Sequence, residues 1–208
     1  MTDWKAFLDG ILNERQYKLD EPMSRHTTYG IGGPADCFAT PQTKEELKAL
    51  LSKAHDEGIP VTFIGGGSNL LVSDLGIRGI TLCTNRLKPE MECRDTWITV
   101  HGGAGTGTVS RFAEKNSLKG FEWAVGIPGT LCGAVFMNAN GYGSQMKNVV
   151  EEVYTITGDG KEEKTYGWDD LHYGDSDSIF MHNGDIIVGA KLHLAPGNAD
   201  EIKRNMTE

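Results

Sequence analysis

Residues 63–74, FIGGGSNLLVSD, constrain the fold of this chain more than any other segment, because three consecutive glycines directly follow an apolar run. A tight turn needs one glycine, so three in a row predict that the main chain comes close to another group. Exposed N–H groups in such a turn are typical of phosphate binding. A glycine-rich β-turn without a ligand is the alternative interpretation.

Glycine is abundant throughout the chain, with 27 of 208 residues, against an average of about 7% in proteins. Further clusters read GIGG, HGGAGTG, GIPG and NANGYG. These clusters separate well-patterned apolar segments and do not form a low-complexity tract. Disorder therefore does not explain the high glycine content. The sequence therefore predicts a surface of exposed main-chain amides at the ends of its helices and strands.

Charge and apolar runs exclude several classes of protein. The formal net charge is −9 and the isoelectric point is about 5.2, which argues against a nucleic-acid binder. No apolar run reaches the roughly 20 residues of a membrane span, and the first residues do not read as a secretory signal. We therefore expect a cytoplasmic protein without a membrane partner.

The four cysteines show no metal-binding pattern. Cys37, Cys83, Cys93 and Cys132 form no CxxC pair and have no histidine at metal spacing. Free thiols in a reducing compartment, and no metal site, are the expectation.

Helices and strands alternate in the first part of the chain. Residues 3–14 are patterned as an amphipathic helix, and PQTKEELKALLSKAHDEGIP predicts a second helix with Thr43 as N-cap, Glu46 completing a capping box and Gly58 ending it. VTFIG predicts a short buried strand and GITLCTN another. The plan is strand, helix, strand, glycine turn, strand.

The pattern changes after residue 85. TWITVHGGAG alternates as a strand, TVSRFAEKNS predicts a helix, and the segments flanking GDGK, with DIIVGAKLHLAP, predict antiparallel strands. We therefore predict two α+β lobes, residues 1–85 and 86–197, that pack together without a flexible linker. Residues 198–208 read as the start of a further helix.

A second glycine-rich region lies within residues 101–143. GIPGT pairs a proline with flanking glycines before a segment of small residues, which favours close packing against a planar ring. A dinucleotide between the two lobes, with its diphosphate on GGGSN and its ring against the second lobe, accounts for both clusters.

Three motifs together resemble one enzyme family. MSRHTTYGIGGPADCFATP, FIGGGSNLLVSDLGIRGI and GFEWAVGIPGTLCGAVFMNANGYGSQMKNVVEEV resemble, in the same order, the UDP-N-acetylenolpyruvoylglucosamine reductases of peptidoglycan synthesis. The resemblance implies an α+β fold of two FAD-binding subdomains, of the para-cresol methylhydroxylase and vanillyl-alcohol oxidase type. It implies FAD as cofactor and NADPH as electron donor.

The resemblance also implies which residues bind the cofactor. The diphosphate would lie on one turn and the flavin along the other, with Tyr142 as a further neighbour of cofactor or substrate. The implied cofactor-binding residues are Gly65, Gly66, Gly67, Ser68, Asn69, Leu70, Gly126, Ile127, Pro128, Gly129, Thr130, Gly133, Ala134 and Asn138.

The chain departs from the family at its expected catalytic residues. Where the family has an arginine that polarises the substrate, HYGDSDSIF places Ser176, between Asp175 and Asp177. A serine supplies no fixed positive charge. The family's proton-donating serine and its glutamate belong to a third, substrate-binding domain that these 208 residues do not include. We therefore expect no catalytic residue here, doubtful binding of the UDP-sugar, and impaired catalysis.

Two further features admit two interpretations each. Some flavoproteins with this fold attach FAD covalently through histidine, and His26 and His101 lie near the glycine segments, but surface or hydrogen-bonded histidines are the interpretation we prefer. Cys132 is interpreted as a small buried residue, because no basic motif that would activate a thiol lies beside it.

Three functions remain open from the sequence. The chain is the FAD-binding portion of a reductase, a flavin-binding module without catalysis, or a degenerate relative that binds a nucleotide or a protein. The flavin spectrum of the purified protein separates the last from the other two.

Overall fold

The computed structural model describes residues 2–207. Its two largest sheets have four and five strands. The helices are α1 (Trp4–Leu8), α2 (Lys44–Asp56), α3 (Thr106–Lys115), α4 (Leu131–Phe136), α5 (Phe180–Asn183) and α6 (Ala199–Asn205). The strands are β1 (Tyr17–Pro22), β2 (Pro34–Ala39), β3 (Val61–Ile64), β4 (Ile77–Cys83), β5 (Glu90–Arg94), β6 (Trp97–His101), β7 (Leu118–Lys119), β8 (Asn140–Gly141), β9 (Ser144–Gln145), β10 (Val150–Ile156), β11 (Glu163–Gly167), β12 (Ile186–His193) and β13 (Ala195–Pro196). Single 3-10 turns cover Met23–Arg25, Thr84–Arg86, Glu122–Gly126, Met146–Asn148 and Trp168–Leu171.

The first sheet has the strand order β1-β2-β4-β3. Strands β2 and β3 both pair parallel to β4, whereas β1 pairs antiparallel to β2. A parallel arrangement needs a long connection, which α2 supplies between β2 and β3. The glycine turn at residues 65–69 follows the edge strand β3 directly, so it lies at one corner of this sheet.

Helix α2 confirms the clearest prediction from the sequence. It begins after Thr43, whose hydroxyl accepts a hydrogen bond from the Glu46 amide, while the Glu46 carboxylate accepts one from the Thr43 amide. Gly58 follows its end with φ of +66°. Leu47, Leu50 and Leu51 are fully buried on its inner face. Burial of each leucine stabilises the fold by roughly 1.5–3 kcal/mol.

The second sheet is entirely antiparallel, with the order β11-β10-β12-β6-β5. The predicted hairpin around GDGK is confirmed as the pairing of β10 with β11. One face of this sheet belongs to the same apolar cluster as α3 and α4, and Val109, Leu131 and Val135 of these helices are fully buried there. Packing of α4 on the sheet fixes the position of the loop at residues 126–130, which directly precedes this helix.

Each large sheet with its helices is called a lobe here, and the two lobes share one apolar cluster. Ile156, Ile186 and Val188 of the second sheet belong to the same cluster as the leucines of α2. Gly160, in the β10–β11 turn, lies so close to α2 that a Cβ atom there would be 2.5 Å from the Lys48 carbonyl oxygen. The lobes are therefore joined by apolar packing, which fixes their loops relative to each other.

Two predictions from periodicity are wrong in detail. Helix α1 covers only Trp4–Leu8 rather than residues 3–14, because Gly10 adopts a left-handed conformation with φ of +74° and the chain turns there. Strand β3 is an edge strand, not a buried one, and Phe63 is more than a third exposed. The predicted order of helices and strands also lacks β1, because the middle residues of this strand are mostly exposed and show no apolar alternation.

No helix among residues 2–207 combines the length and the apolar character that crossing a membrane requires.

Replacement of Thr43 by alanine tests the capping box. We expect Thr43→Ala to lower the free energy of unfolding by about 1 kcal/mol, because the Glu46 amide loses its acceptor. Urea unfolding followed by circular dichroism measures this change. Thr43→Ser is the matched control and keeps near-wild-type stability; equal stability of both variants would contradict the cap's contribution.

Candidate functional site

The triple glycine packs its main chain against a neighbouring loop of the first lobe. Gly67 is buried with φ of +66°, and a Cβ atom there would lie 1.9 Å from the His26 carbonyl oxygen. The Gly67 carbonyl oxygen accepts a hydrogen bond from the Thr28 amide at 3.1 Å. Only glycine combines this backbone conformation with this close approach.

The second glycine loop, residues 126–130, enters α4 from the other lobe. Gly129 has φ of +107°, and its carbonyl oxygen accepts a hydrogen bond from the Thr106 amide at 3.1 Å. Thr130 caps α4, since its hydroxyl accepts from the Gly133 amide at 3.2 Å. The loop is thus held at both ends by α3 and α4.

The two loops touch each other across the lobes. A Cβ atom on Gly66 would lie 2.7 Å from the Cα atom of Gly129, and one on Gly65 would lie 2.5 Å from the Thr130 hydroxyl. The Ser68 hydroxyl donates to the Pro128 carbonyl oxygen at 3.1 Å. The glycines are therefore required by contact between the loops, whether or not a ligand is bound.

Several backbone donors of the first loop remain without a protein acceptor. Within residues 2–207, the N–H groups of Gly66, Gly67, Ser68 and Asn69 donate no hydrogen bond to a protein atom. A run of such donors is the arrangement that binds a phosphate oxygen. The loop thus presents free backbone donors, while the same glycines also serve packing.

A cleft of about 530 Å³ opens between the loops. Its described lining contains no lysine, arginine, aspartate or glutamate. The predicted cofactor-binding residues that line it are Gly65, Gly66, Gly67, Ser68, Asn69, Leu70, Ile127, Pro128, Gly129, Thr130, Gly133 and Ala134. The tertiary structure therefore brings twelve predicted residues from two distant segments to one uncharged cavity.

Gly126, Asn138 and Tyr142 do not line this cleft. Gly126 and Tyr142 border a separate depression beside Trp123. Asn138 is 1% exposed, and its amide group donates to the Gly174 carbonyl oxygen at 2.8 Å. Asn138 thus ties the end of α4 to the hairpin at residues 174–177.

That hairpin carries Ser176 to the cleft. The Gly174 amide donates to the Asp177 carbonyl oxygen at 3.0 Å, and Ser176 lies at the tip with φ of +53°. Ser178, directly after the hairpin, donates to the Phe136 carbonyl oxygen. Ser176 lines the cleft, while Asp175 beside it is exposed. The hairpin therefore brings a hydroxyl and no cation.

Apolar side chains that the sequence did not indicate complete the opening. Phe63, Phe136 and Met181 line the cleft and are each more than a third exposed. They lie on β3, α4 and α5, far apart in the sequence. Phe63 and Phe136 lie within the quoted motifs, but nothing in the sequence marks these side chains as part of a site, because each joins it only when the lobes pack.

Cys132 is buried, as expected, and does not line the cleft. Its sulfur lies 3.5 Å from the Gly102 carbonyl oxygen, and burial raises the pKa of its thiol to about 12. All four cysteines are free thiols. Within residues 2–207, no three side chains of the metal-binding types come together.

Neither candidate histidine lines the cleft. His26 Nε2 donates a hydrogen bond to the Glu21 carboxylate at 2.8 Å, its ring stacks on Phe38, and it borders a second cavity behind the glycine turn. His101 stacks on Tyr154. Both are held by neighbouring side chains, in line with the preferred interpretation.

The comparisons with known proteins agree with this geometry. A family described as "FAD binding domain" matches residues 35–166, more than half of the chain. UDP-N-acetylenolpyruvoylglucosamine reductase of Clostridioides difficile (strain 630) is 40% identical over 198 residues, which cover 95% of this chain and 65% of that protein. The enzymes of Lactiplantibacillus plantarum and Bacillus cereus, the latter named reductase 2, are 39% and 38% identical, and the chain spans 63% and 68% of their lengths.

Solved structures show the same fold. The crystal structure of UDP-N-acetylenolpyruvylglucosamine reductase from Thermus caldophilus aligns with a TM-score of 0.71 and 31% identity, covering 92% of this chain and 66% of that one. Para-cresol methylhydroxylase aligns with a TM-score of 0.67 and 14% identity, over 93% of this chain and 42% of that one. The predicted α+β fold of this type is therefore confirmed, and the chain contains an FAD-binding domain.

Replacement of Gly67 tests the contact between glycine turn and His26. Gly67→Ala should lower the free energy of unfolding by several kcal/mol, because the methyl group would overlap the His26 carbonyl oxygen. Gly58→Ala is the matched control: it has the same φ of +66° but no atom within 4 Å, and should cost about 1 kcal/mol. Urea unfolding compares them, and equal losses would contradict the packing argument.

Thiol labelling tests the burial of the cysteines. At pH 8 we expect Cys93, the partly exposed cysteine, to react with a disulfide reagent well before Cys132. Thiolate is the reactive form, and burial raises the pKa of Cys132 to about 12. Peptide mass spectrometry identifies the modified residue, with the urea-unfolded protein as control. Early labelling of Cys132 in the folded protein would refute its burial.

Proposed function

Because the chain belongs to the UDP-N-acetylenolpyruvoylglucosamine reductase family, we propose that it is the FAD-binding portion of such a reductase, with NADPH as its electron donor. Bound FAD would supply the hydride chemistry between NADPH and the enolpyruvyl group of a UDP-sugar. The residues of this chain bind and orient that cofactor. The relatives that carry the enzyme name extend over about half as much chain again, so reduction of the sugar is proposed for chains of that length and not for these residues alone.

The observation that carries this proposal is the row of unpaired donors beside an uncharged cleft. The N–H groups of residues 66–69 have no acceptor within the described residues, and these four residues line the cleft. A diphosphate needs several donors in a short span, which this turn provides without any side chain. The FAD diphosphate would thus bind at the turn.

The second lobe provides the wall for a flat ring. Ile127, Pro128 and Gly129 form one side of the cleft, and Gly133 and Ala134 of α4 continue it. Small residues let a planar ring approach the backbone, and proline keeps the wall rigid. We assign these five residues to the flavin.

We assign the two subdomains to residues 1–85 and 86–197. The strands of the first sheet end at Cys83, and those of the second begin at Glu90, in support of this division. Helix α6, within residues 198–208, is assigned to the connection to a substrate-binding domain.

We expect these residues alone not to complete the reduction of the sugar. The resemblance aligns Ser176 with an arginine, and the described lining of the cleft offers no other cation to polarise a substrate carboxylate. Electron transfer from NADPH to the flavin does not need that charge. The proposed activity of the chain by itself is therefore the first half-reaction only.

The same uncharged cleft favours a second candidate, a flavin-binding module without catalysis. Such a module binds FAD but gains nothing when an arginine is restored at Ser176 and the substrate-binding domain is added. A degenerate relative that binds another nucleotide or a protein would be purified without flavin.

We place the protein in the cytoplasm, where its four free thiols stay reduced.

The flavin spectrum and its reduction test the proposed function. The purified protein, supplied with FAD, should show a bound-flavin absorption band that NADPH bleaches without oxygen, while UDP-N-acetylenolpyruvoylglucosamine does not reoxidise it. Ser176→Arg is the control for the first step, with an unchanged bleaching rate expected because that step needs no carboxylate contact. A protein that binds no FAD would refute the proposal.

A further inference from the structure

A second cavity lies behind the glycine turn. It has a volume of about 240 Å³ and shares Ile64, Gly65 and Gly66 with the cleft, so the turn is the wall between the two. Thr27, Thr28 and Asn85 line it, and apolar side chains are few. A ligand that passes over Gly65 and Gly66 therefore leaves an uncharged space and enters a polar one.

The cavity also holds positive charge, which the cleft lacks. That charge is the Arg25 guanidinium, which lines the cavity beside the ring of His26. A diphosphate carries negative charge that backbone amides solvate only with partial charges, and an arginine adds a full charge and several donors. A dinucleotide needs an apolar wall for its ring and a cation for its phosphates. The cleft provides the apolar wall, and the second cavity provides the cation.

A buried carboxylate holds these two side chains in place. Glu21 has a side chain only 6% exposed; it lies 3.6 Å from an Arg25 nitrogen and 2.8 Å from the His26 Nε2 atom. Burial by itself would raise the pKa of Glu21, but hydrogen bonds from His26 and Lys18 outweigh it and lower the pKa. Glu21 is therefore a carboxylate that orients its basic neighbours.

Arg25 retains the freedom to contact a ligand. Its side chain is 68% exposed, and its distance to Glu21 is that of an ion pair rather than a short hydrogen bond. His26 is more restricted, because it stacks on Phe38 with 3.9 Å between ring centroids. The arginine is thus the solvent-exposed cation of the cavity, and the histidine is packed into its wall.

We propose that Arg25, at the mouth of this polar cavity, binds the diphosphate of the dinucleotide whose ring occupies the cleft. Arg25 and the amides of the glycine turn would then hold the diphosphate together, since Gly65 and Gly66 line both cavities. His26 forms the cavity wall beside it. This inference rests on the proposed function, because it assumes a dinucleotide with the size and charge of FAD.

Binding of two flavins by an arginine variant tests the inference. FAD contains the diphosphate and riboflavin does not, while both contain the ring. We expect Arg25→Ala to raise the dissociation constant for FAD about tenfold or more, as expected for loss of a charge-assisted hydrogen bond, and to change that for riboflavin less than twofold. Quenching of flavin fluorescence measures both constants.

Two further variants separate charge from structure. Lys18→Ala is the matched control, because Lys18 also pairs with Glu21, at 3.1 Å, but does not line the cavity; its FAD affinity should stay that of the wild type. Arg25→Lys keeps the charge and should recover part of the affinity. Added salt should weaken FAD binding less in Arg25→Ala than in the wild type.

The outcomes distinguish this inference from the proposed function. If the wild type binds FAD and Arg25→Ala binds it equally well, the inference is wrong and the proposed function stands. An equal loss of FAD and riboflavin affinity would also overturn it, since the arginine would then act on the fold. A wild-type protein without FAD affinity would overturn both.

Discussion

Contact between two glycine loops is the constraint on which the rest of the structure depends. Gly66 faces Gly129 at a distance that leaves no room for a side chain, and the Ser68 hydroxyl bonds to Pro128. Each loop comes from a different lobe, so their contact requires the lobes to be fixed relative to each other. The apolar cluster between α2 and the second sheet provides this rigidity. Contact between the loops and packing between the lobes therefore stabilise each other. Together they form the cleft.

The distribution of charge around the turn follows from that geometry. One side of the turn faces an uncharged cleft with an apolar rim, and the other faces a polar cavity with Arg25 and His26. A protein with a net charge of −9 can bind an anion in this way, because local donors outweigh a distant acidic surface that salt screens. At the far end, the hairpin brings Ser176 and adjacent aspartates, which disfavour a carboxylate substrate. In the proposed function, cofactor binding and activation of an anionic substrate therefore depend on different residues.

Local signals predicted those elements whose reasons are local. The prediction of helix α2 is correct at both ends, because capping by Thr43 and termination near Gly58 depend on neighbouring residues. Helix α1 was predicted too long, since its apolar spacing continues through a turn that Gly10 forms. Strand β1 was missed because its exposed residues carry no alternation, and its pairing with β2 supplies what its sequence does not.

The sequence by itself determined that two glycine segments lie at the ends of strands and helices, which of their residues are small, and that the chain resembles a flavin reductase. Those facts depend on residue types and their spacing. Only the tertiary structure decided that Gly126 and Asn138 lie outside the cleft, that Phe63, Phe136 and Met181 border it, and that Arg25 lies behind the turn. The reason is physical: a cavity between lobes is formed by side chains far apart in sequence, and their meeting depends on packing that no local pattern records.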